Sequence, residues 1–422
     1  MYSTDVVITG VGIVSPIGIG WEPFWAALRQ GKSGIGRIRQ FEASGLPCQI
    51  AAEVTDFDPK CYVRPRKSLK VMCRDSQMGV AASTLACQDA GIAAGTVDPE
   101  RLGVVMGADR ICSAMEDSEP TYRNCLDGHR FDFGRWGTDG MAGSFPLSFL
   151  KVLPNTIASH ISIAHDARGP NNTIHQTEVS SLLAVGEAAR VIQRGAADVM
   201  IVGGASSQLN PFDYVRRSAM GILTRRQDEP AAAMRPFDAD RDGQVWGEGA
   251  AVFILEDARH AEARGARVLA RILGWATTCE PRRHGNGPRG AGLRRAVELA
   301  LRQAKSEAKD LGHVNAHGLS TIHDDQLEAR ALHEMVPEVP VVAPKSYFGN
   351  LGAAGGAMEM AASVLSLGAE IVPATLNYEH PDPNCPLQVI CDEPLSSSPA
   401  PALLVNWTTI GQAASAVLAG PG

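Results

Sequence analysis

The sequence lacks most of the features by which common classes of protein are recognised. Aromatic residues make up only 5% of the 422 positions, and the 39 Lys and Arg residues are outnumbered by 46 Asp and Glu residues. The net charge of −7 offers no basic field to replace the counterions of a nucleic acid, so nucleic acid is not an expected partner. No apolar run approaches the roughly 20 residues that span a bilayer, so no membrane partner is expected either.

The nine cysteines also lack the spacing of a metal site, because none of them forms a CxxC pair. Their odd number, together with the absence of a recognisable signal peptide, predicts a reducing, cytoplasmic setting. Gly10 and Gly12 follow the first predicted strand but do not continue into a GxGxxG motif. We therefore expect neither a metal nor a dinucleotide cofactor.

What remains is a composition that is ordinary for a soluble globular protein, with 45% apolar and 20% charged residues. Strand and helix patterns alternate along the chain, which favours α/β layers with mainly parallel sheets. A similar order of elements recurs in residues 1–258 and residues 259–422, which fits two similar βαβαβ halves. Residues 69–90 are predicted to form one long helix. Residues 108–150 show little periodicity and are predicted to be an insertion that caps one end of the core.

One segment has the layout of an active-site elbow, in which a strand runs directly into a helix. It begins at Gly169-Pro170 and continues through Thr177-Glu178-Val179 into residues 182–194, which have helical spacing. A buried strand follows at residues 196–205 and ends in a pair of glycines. Further motifs stand at fixed separations beyond it, namely Pro236-Phe237-Asp238 with Asp240-Arg241-Asp242-Gly243, Val314-Asn315-Ala316-His317-Gly318, and Lys345-Ser346 with Gly349.

These motifs, in this order, resemble those of the β-ketoacyl synthases, the condensing enzymes of fatty-acid and polyketide synthesis within the thiolase superfamily. The resemblance spans essentially the whole chain. It implies the thiolase fold, in which five layers alternate helix and sheet, and a dimer formed across a central sheet edge. It also implies an acyl carrier protein or a CoA thioester as partner, with the substrate carried on phosphopantetheine or CoA and no other cofactor.

In that family the site consists of a Cys and two His residues. Matched residue by residue, Glu178 occupies the position of the Cys, His317 that of the first His, and Asn350 that of the second. A carboxylate cannot form the acyl thioester of the transfer step, so the resemblance implies that the nucleophile has been lost. His plus Asn is the pair of the related ketoacyl synthase III and chalcone synthase branches, so the part of the site that stabilises an enolate is expected to remain.

The resemblance assigns supporting roles to several further residues. Lys345 and Glu359 fall where the family keeps a charged pair beside the His residues, and Asp325 and Glu328 fit the polar surroundings of the His-Gly motif. Thr321 is retained where the family contacts pantetheine, whereas Leu319 replaces a Thr.

Two surface features bear on the acyl group and its carrier. The family's Gly-Phe-Gly-Gly loop, which gates the acyl pocket, is replaced here, and we expect the motion of the new loop to be restricted because two of three glycines are missing. That loop is Thr408-Thr409-Ile410-Gly411-Gln412. Arg64, Arg66 and Lys67, called the basic patch below, are a candidate carrier-binding surface, although a solvated face would look the same.

Several roles for Glu178 stay open. The helix dipole favours its anionic form whereas burial opposes ionisation. It is a carboxylate that fills the space of the nucleophile, a mimic of an acylated Cys like the Gln of decarboxylating synthase domains and chain-length factors, or a general base facing His317 and Asn350. A covalent acyl anhydride on Glu178 is chemically allowed.

Three functional hypotheses follow. The first is an enzyme that acts on malonyl or β-keto thioesters, in which His317 and Asn350 stabilise an enolate during decarboxylation, or during condensation or proton transfer with Glu178 as base. The second is a catalytically silent subunit, similar to chain-length factors, that pairs with an active ketosynthase. The third is a thioesterase-like hydrolase in which Glu178 activates water. Whether the chain forms a homodimer or a heterodimer stays open.

Overall fold

The computed structural model describes residues 5–93, 95–112, 114–281, 288–396 and 400–421. Ten main strands form one continuous sheet, in which the short strand Gly18–Ile19 also pairs with the first. In chain order they are β1 Val6–Ser15, β2 Leu102–Ala108, β3 Asn171–His175, β4 Val199–Ser207, β5 Glu248–Asp257, β6 Ala270–Cys279, β7 His313–Asn315, β8 Val341–Val342, β9 Ala402–Trp407 and β10 Gln412–Ala419. Two-stranded ribbons pair Ile35–Arg37 with Ile50–Ala52, Leu126–Asp127 with Arg130–Phe131, and Ile371–Val372 with Leu395–Ser396.

The α-helices of the described residues lie on both faces of the sheet. They are α1 Trp21–Arg29, α2 Arg74–Asp89, α3 Met115–Asn124, α4 Ser148–Lys151, α5 Thr156–His165, α6 Ser180–Gln193, α7 Pro211–Ala219, α8 Ala258–Ala263, α9 Ala291–Ala304, α10 Ile322–Met335, α11 Lys345–Phe348 and α12 Gly355–Ala369.

The two halves of the sheet have the same strand order. Its order is β3-β2-β4-β5-β1 in the first half and β8-β7-β9-β10-β6 in the second, so each half places its third, second, fourth, fifth and first strands side by side. In both halves the second strand pairs in parallel with the third and fourth, and the fifth pairs antiparallel with the fourth and first. The halves join where β1 pairs antiparallel with β6. This repetition confirms the expected duplicated core.

The prediction of mainly parallel sheets is wrong, because the sheet is mixed. Parallel neighbours need a long crossover connection, whereas antiparallel neighbours are joined by a short turn. β9 and β10 are joined by the short turn at residues 408–411. β4 and β5 also pair antiparallel, although α7 and a 3₁₀ helix lie between them in the chain.

The five layers of the thiolase fold are present. α6 and α12 pack against each other and against strands of both halves, with α6 on β2, β4 and β10 and α12 on β5 and β9. α12 is buried on all sides over most of its length, as its apolar sequence requires. α2 and α5 cover the outer face of the first half, and α9 and α10 cover that of the second.

The insertion at residues 108–150 holds α3, the small ribbon and the start of α4. It leaves large apolar side chains in solvent, with Phe133 76% exposed and Phe149 65% exposed. The single helix predicted over residues 69–90 is wrong at its start, because Arg66–Val71 is a 3₁₀ helix and α2 begins at Arg74. Cys73 has extended backbone there and caps α2 by accepting the N–H of Ser76. Within the described ranges, no helix is both long and apolar enough to cross a membrane.

Candidate functional site

The candidate site lies where the carboxyl ends of parallel strands from both halves meet. Glu178 follows β3, His317 follows β7 and Lys345 follows β8. The single turn of 3₁₀ helix at Thr177–Val179 packs against β9, β10 and the turn Gly352–Ala354. Because corresponding loops of the two halves converge here, residues far apart in sequence share one space.

The elbow before α6 has a strained backbone. Thr177 has φ +50°, a left-handed conformation that a β-branched residue rarely adopts. Ser180 stabilises the turn, because its hydroxyl donates to the Thr177 carbonyl at 2.7 Å and accepts the Gln176 N–H at 2.8 Å. Glu178 is half-buried at this elbow, immediately before the first turn of α6. The structure therefore places it where the sequence predicts a nucleophile position.

The backbone around His317 is held by two carboxyl groups of α10. Glu328 accepts the N–H groups of His317 and Gly318 at 2.6 and 2.9 Å, and Asp325 accepts those of Leu319 and Phe237 at 2.9 and 2.7 Å. Burial raises the pKa of Asp325 to about 7 and that of Glu328 to about 8, against the effect of these hydrogen bonds. Both residues therefore fix the loop that carries the imidazole, as the resemblance implies.

The His317 ring is held in one tautomer. Lys345 Nζ donates to its Nδ1 at 2.9 Å, and Asn406 Nδ2 faces the same atom at 3.0 Å. Both neighbours are donors, so Nδ1 accepts and the ring proton lies on Nε2. Burial, together with the charge of Lys345, keeps the pKa of His317 well below its usual range. The buried Nε2 has no hydrogen-bond partner among the described residues, so a neutral imidazole presents a free N–H donor.

Lys345 joins the other groups behind the ring. Its Nζ contacts the Glu359 carboxylate and donates to the His317 carbonyl at 2.8 Å, and Asn406 Nδ2 donates to the other Glu359 oxygen. Burial raises the pKa of Glu359, although the Lys345 charge opposes the rise. Sequence reasoning missed Asn406, for which the available signal was a polar residue at the end of an apolar strand. Trp407 next to it lies edge-on to the His317 ring, with ring centroids 6.4 Å apart.

Asn350 is held by a separate set of contacts. Its Oδ1 accepts the Gly352 N–H at 3.0 Å, and its Nδ2 donates to Gln244 Oε1 at 2.9 Å. A backbone N–H can only donate, so the Gly352 contact fixes the orientation of the amide. The second hydrogen on Nδ2 remains for another acceptor. Asn350 is fully buried, and its backbone pairs with that of Val245 and Gly247.

The other predicted residues lie around this centre. The Thr321 hydroxyl donates to Asp324 at 2.7 Å. The predicted gating loop is the tight turn between β9 and β10, in which the Gly411 N–H donates to the Thr408 carbonyl at 2.9 Å and the Thr408 N–H to the Gln412 carbonyl at 2.8 Å. Thr409 and Ile410 are exposed at its tip. The restricted motion of this loop stays a prediction.

The basic patch lies on the surface before α2. Its three side chains are exposed, and Arg66 and Lys67 begin the 3₁₀ helix that packs against α4. The Arg64 guanidinium donates to the Val63 carbonyl at 2.9 Å. The patch is therefore accessible to a partner.

One group of side chains has the spacing of a metal site, but one of its carboxylates is already fully hydrogen-bonded. Asp238, Asp240 and His380 offer ligand atoms within 4.8 Å of one another. Asp238 accepts the N–H groups of Glu379 and His380 and the side chain of Arg235, so its oxygens already serve the local backbone.

Sequence reasoning also missed a buried cation close to Glu178. Arg217 of α7 is 8% exposed, and its guanidinium lies over the Trp246 ring at 3.2 Å from the centroid. Burial lowers the pKa of Arg217, and the negative charges of Asp213, Glu178 and Asp109 oppose that shift. No sequence motif signalled this residue, because its importance comes from tertiary contact alone.

Known proteins match this arrangement over the whole chain. The model of the β-ketoacyl synthase N-terminal domain matches residues 3–261, and that of the C-terminal domain matches residues 269–379. The actinorhodin polyketide putative beta-ketoacyl synthase 1 of Streptomyces coelicolor is 37% identical over 391 residues, which cover 91% of this chain and 82% of that protein.

Solved structures agree. The ishigamide ketosynthase/chain length factor superposes with a TM-score of 0.89 at 27% identity and covers all of both chains. A ketosynthase bound to the hexaketide, in complex with its type II polyketide acyl-carrier protein, superposes with a TM-score of 0.85 at 27% identity and covers 99% of this chain and all of that one. The chain is thus a ketosynthase-like protein of polyketide or fatty-acid synthesis, and it belongs to the β-ketoacyl synthase family.

Proposed function

We propose that the protein binds malonyl thioesters and decarboxylates them without forming an acyl-enzyme. The observation that carries this proposal is the neutral His317 ring, whose buried Nε2–H has no partner among the residues described. A free donor in a water-poor site costs stability unless a ligand completes it. The thioester carbonyl oxygen of a bound malonyl group is an acceptor of the required kind.

The proposed chemistry uses the free donors of both residues. The carbonyl oxygen accepts the His317 Nε2–H and the remaining N–H of Asn350. The bond between the α-carbon and the malonyl carboxylate breaks, carbon dioxide leaves, and the electron pair passes into an enolate on that oxygen. A proton from the solvent then adds to the α-carbon and gives the acetyl thioester. Lys345 donates to the far side of the ring, which makes the Nε2–H a stronger donor.

The experiment is the intact mass of malonyl-loaded acyl carrier protein after incubation with the protein alone. Wild type is expected to yield acetyl-carrier, and His317→Ala is expected to abolish the conversion. His313→Ala removes a second buried His that lies on β7 but bonds to Ser363, and so controls for general loss of packing. Malonyl-carrier that survives wild type unchanged would refute decarboxylation of that substrate.

A second candidate is the partner subunit of an active ketosynthase. Two observations favour it. Among the described strands, β3 pairs only with β2, so its outer edge is open, and the insertion leaves several aromatic side chains exposed. The ishigamide neighbour is itself a ketosynthase/chain length factor. Sedimentation of this chain alone and with a ketosynthase distinguishes a homodimer from a heterodimer.

The carrier is part of the same proposal. We propose an acyl carrier protein that presents the malonyl group on phosphopantetheine, supported by the exposed basic patch and by the carrier complex of a structural neighbour. CoA thioesters are the alternative, and the same mass assay with malonyl-CoA tests them. The cytoplasmic setting and the absence of a further cofactor stay predictions.

A further inference from the structure

A small internal cavity lies between β7, which leads to His317, and α12. The volume in it that is open to water is about 10 Å³, and every residue around it is buried. A cavity needs about 10–15 Å³ of such volume to hold one water molecule. Four of the surrounding side chains are polar, namely His313, Asn315, Ser363 and Ser366. The cavity therefore has room for one very small molecule and offers it polar contacts.

Two buried atoms at this cavity have no hydrogen-bond partner in the described ranges. They are His313 Nδ1 and Asn315 Oδ1. His313 and Asn315 stand two positions apart on β7, so their side chains point to the same face of the sheet. Both also contact one hydroxyl, because Ser363 Oγ lies 3.3 Å from His313 Nε2 and 2.9 Å from Asn315 Nδ2. The two unpartnered atoms thus belong to side chains that converge on the same space.

The amide of Asn315 has a fixed orientation. Its Nδ2 lies 2.7 Å from the backbone carbonyl of Glu359, which can only accept, so this atom is the nitrogen of the amide. The second hydrogen on Nδ2 goes to Ser363. Oδ1 is therefore left as an acceptor that needs a donor from the cavity.

The same contacts assign the proton of His313. Burial lowers the pKa of His313 to about 4, so the ring is neutral at pH 7 and carries a single N–H. Because Ser363 Oγ accepts from Asn315, the Ser363 hydroxyl hydrogen is directed to its other contact, His313 Nε2. Nε2 then accepts and the ring proton lies on Nδ1. His313 is thus the opposite tautomer to His317, whose proton lies on Nε2.

We propose that the cavity binds one water molecule, which accepts the Nδ1–H of His313 and donates to Oδ1 of Asn315. A buried donor and a buried acceptor both destabilise the fold when they are unpaired, and one water satisfies both. A metal ion does not suit the site, because a protonated Nδ1 cannot act as a ligand. An anion does not suit it either, because Oδ1 would repel it.

The bound water completes the contacts that join β7 to α12. Asn315 already donates to the carbonyl of Glu359, whose carboxylate contacts Lys345. The water therefore helps to hold the strand before His317 against the helix that carries Glu359. This inference goes beyond the proposed decarboxylation and holds whether or not that reaction occurs.

A crystal structure at a resolution that shows ordered waters tests the site directly. We expect one spherical density peak at hydrogen-bond distance, about 2.7–3.2 Å, from both His313 Nδ1 and Asn315 Oδ1. The peak should persist in Ser366→Ala, because the Ser366 hydroxyl donates to the Ala362 carbonyl and is not a partner of the water. It should be absent in His313→Phe, which removes the donor and adds bulk at the cavity. No peak in wild type, or a peak that persists in His313→Phe, would overturn the proposal.

The proton positions are tested in solution by long-range proton–nitrogen correlation spectra of the histidine rings at pH 7. Resonances of His313 are identified by their loss in His313→Phe, and those of His317 by their loss in His317→Ala. We expect the proton on Nδ1 in His313, on Nε2 in His317, and magnetisation transfer from water to the His313 Nδ1–H. A His313 ring protonated on Nε2 would contradict the proposed hydrogen bonds. Neither measurement depends on activity, so an absence of malonyl decarboxylation bears on neither.

Discussion

Removing the Lys345 ammonium while keeping its length, as Lys345→Met does, should expose how much the buried network behind His317 depends on charge. Glu359 is 2% exposed, and Lys345 is the cation that contacts its carboxylate. In the variant the carboxylate would be left buried without a counter-ion, which typically costs 3–5 kcal/mol. The carboxyl group can limit this cost by taking up a proton.

Protonation of Glu359 therefore sets the size of the stability loss. An unfolded Glu has a pKa of about 4.3, which lies about 2.7 pH units below pH 7. Keeping Glu359 protonated in the folded variant at pH 7 therefore costs about 3.7 kcal/mol. This figure is an upper bound on the contribution of the buried charge. The folded pKa of Glu359 is raised, so the folded variant binds a proton that the unfolded chain has lost. The loss of stability in the variant therefore grows as pH rises above about 4.3 and shrinks as pH falls, to about 1.6 kcal/mol at pH 5.5.

The assay is urea unfolding of wild type and variant at pH 7.0 and 5.5, at one protein concentration because oligomerisation shifts the midpoint. Lys345→Met/Glu359→Met, which removes both charges, should recover most of the loss. Lys309→Met removes a Lys that pairs with Glu307 on the surface, both more than 70% exposed, and should change stability by less than about 1 kcal/mol. The reasoning would be refuted if Lys345→Met lowered the free energy of unfolding by less than about 1 kcal/mol at pH 7, or if this loss did not change with pH.

Three further predictions concern the loop, acid stability and the carrier. Gly411→Ala should destabilise the protein by about 1–3 kcal/mol, because Gly411 has φ +99° and a Cβ would lie 2.2 Å from a backbone oxygen, whereas Gly368→Ala, on an open helix face, should raise stability by up to about 1 kcal/mol in the same urea assay. His313 has a pKa lowered by burial to about 4, so the unfolded chain binds its proton first. Wild type should therefore lose about 2 kcal/mol more than His313→Leu between pH 7 and pH 5 in chemical denaturation. Charge reversal of the whole basic patch should weaken binding of an acidic carrier protein at least tenfold at low salt by calorimetry, and unchanged affinity would remove that patch as a carrier site.

The sequence predicts the fold well because its motifs stand at strand ends, where few residue types satisfy the backbone. His317 lies in such a loop, and so do the carboxyl groups of α10 that the motif spacing brings to it. The relative direction of neighbouring strands is harder to predict, because an alternation of helices and strands looks the same whether the last two strands pair in parallel or antiparallel, until the length of their connection is known.

Residues that could not be predicted from the sequence are those whose importance depends on contacts made only in the folded chain. Asn406 contacts His317 although the two residues are 89 positions apart in the sequence. Arg217 stands 39 positions after Glu178, on a helix with no recognisable motif. Both are polar residues whose role depends on which side chains face them. Asn350, by contrast, stands in a motif, yet its bonds to Gln244 and Gly352 place it in a different network from the one around His317.

The repeated strand order also has an evolutionary reading. Strand for strand, the loop that carries His317 after β7 is the counterpart of the one that carries Asp109 after β2, and the Lys345 segment after β8 is the counterpart of the Glu178 elbow after β3. An ancestral half that paired with a copy of itself would have had two equivalent copies of this centre. In the fused chain, one set of loops retains a polarising imidazole while the other holds a set of opposed charges, so the two copies have diverged within a scaffold whose symmetry is still visible.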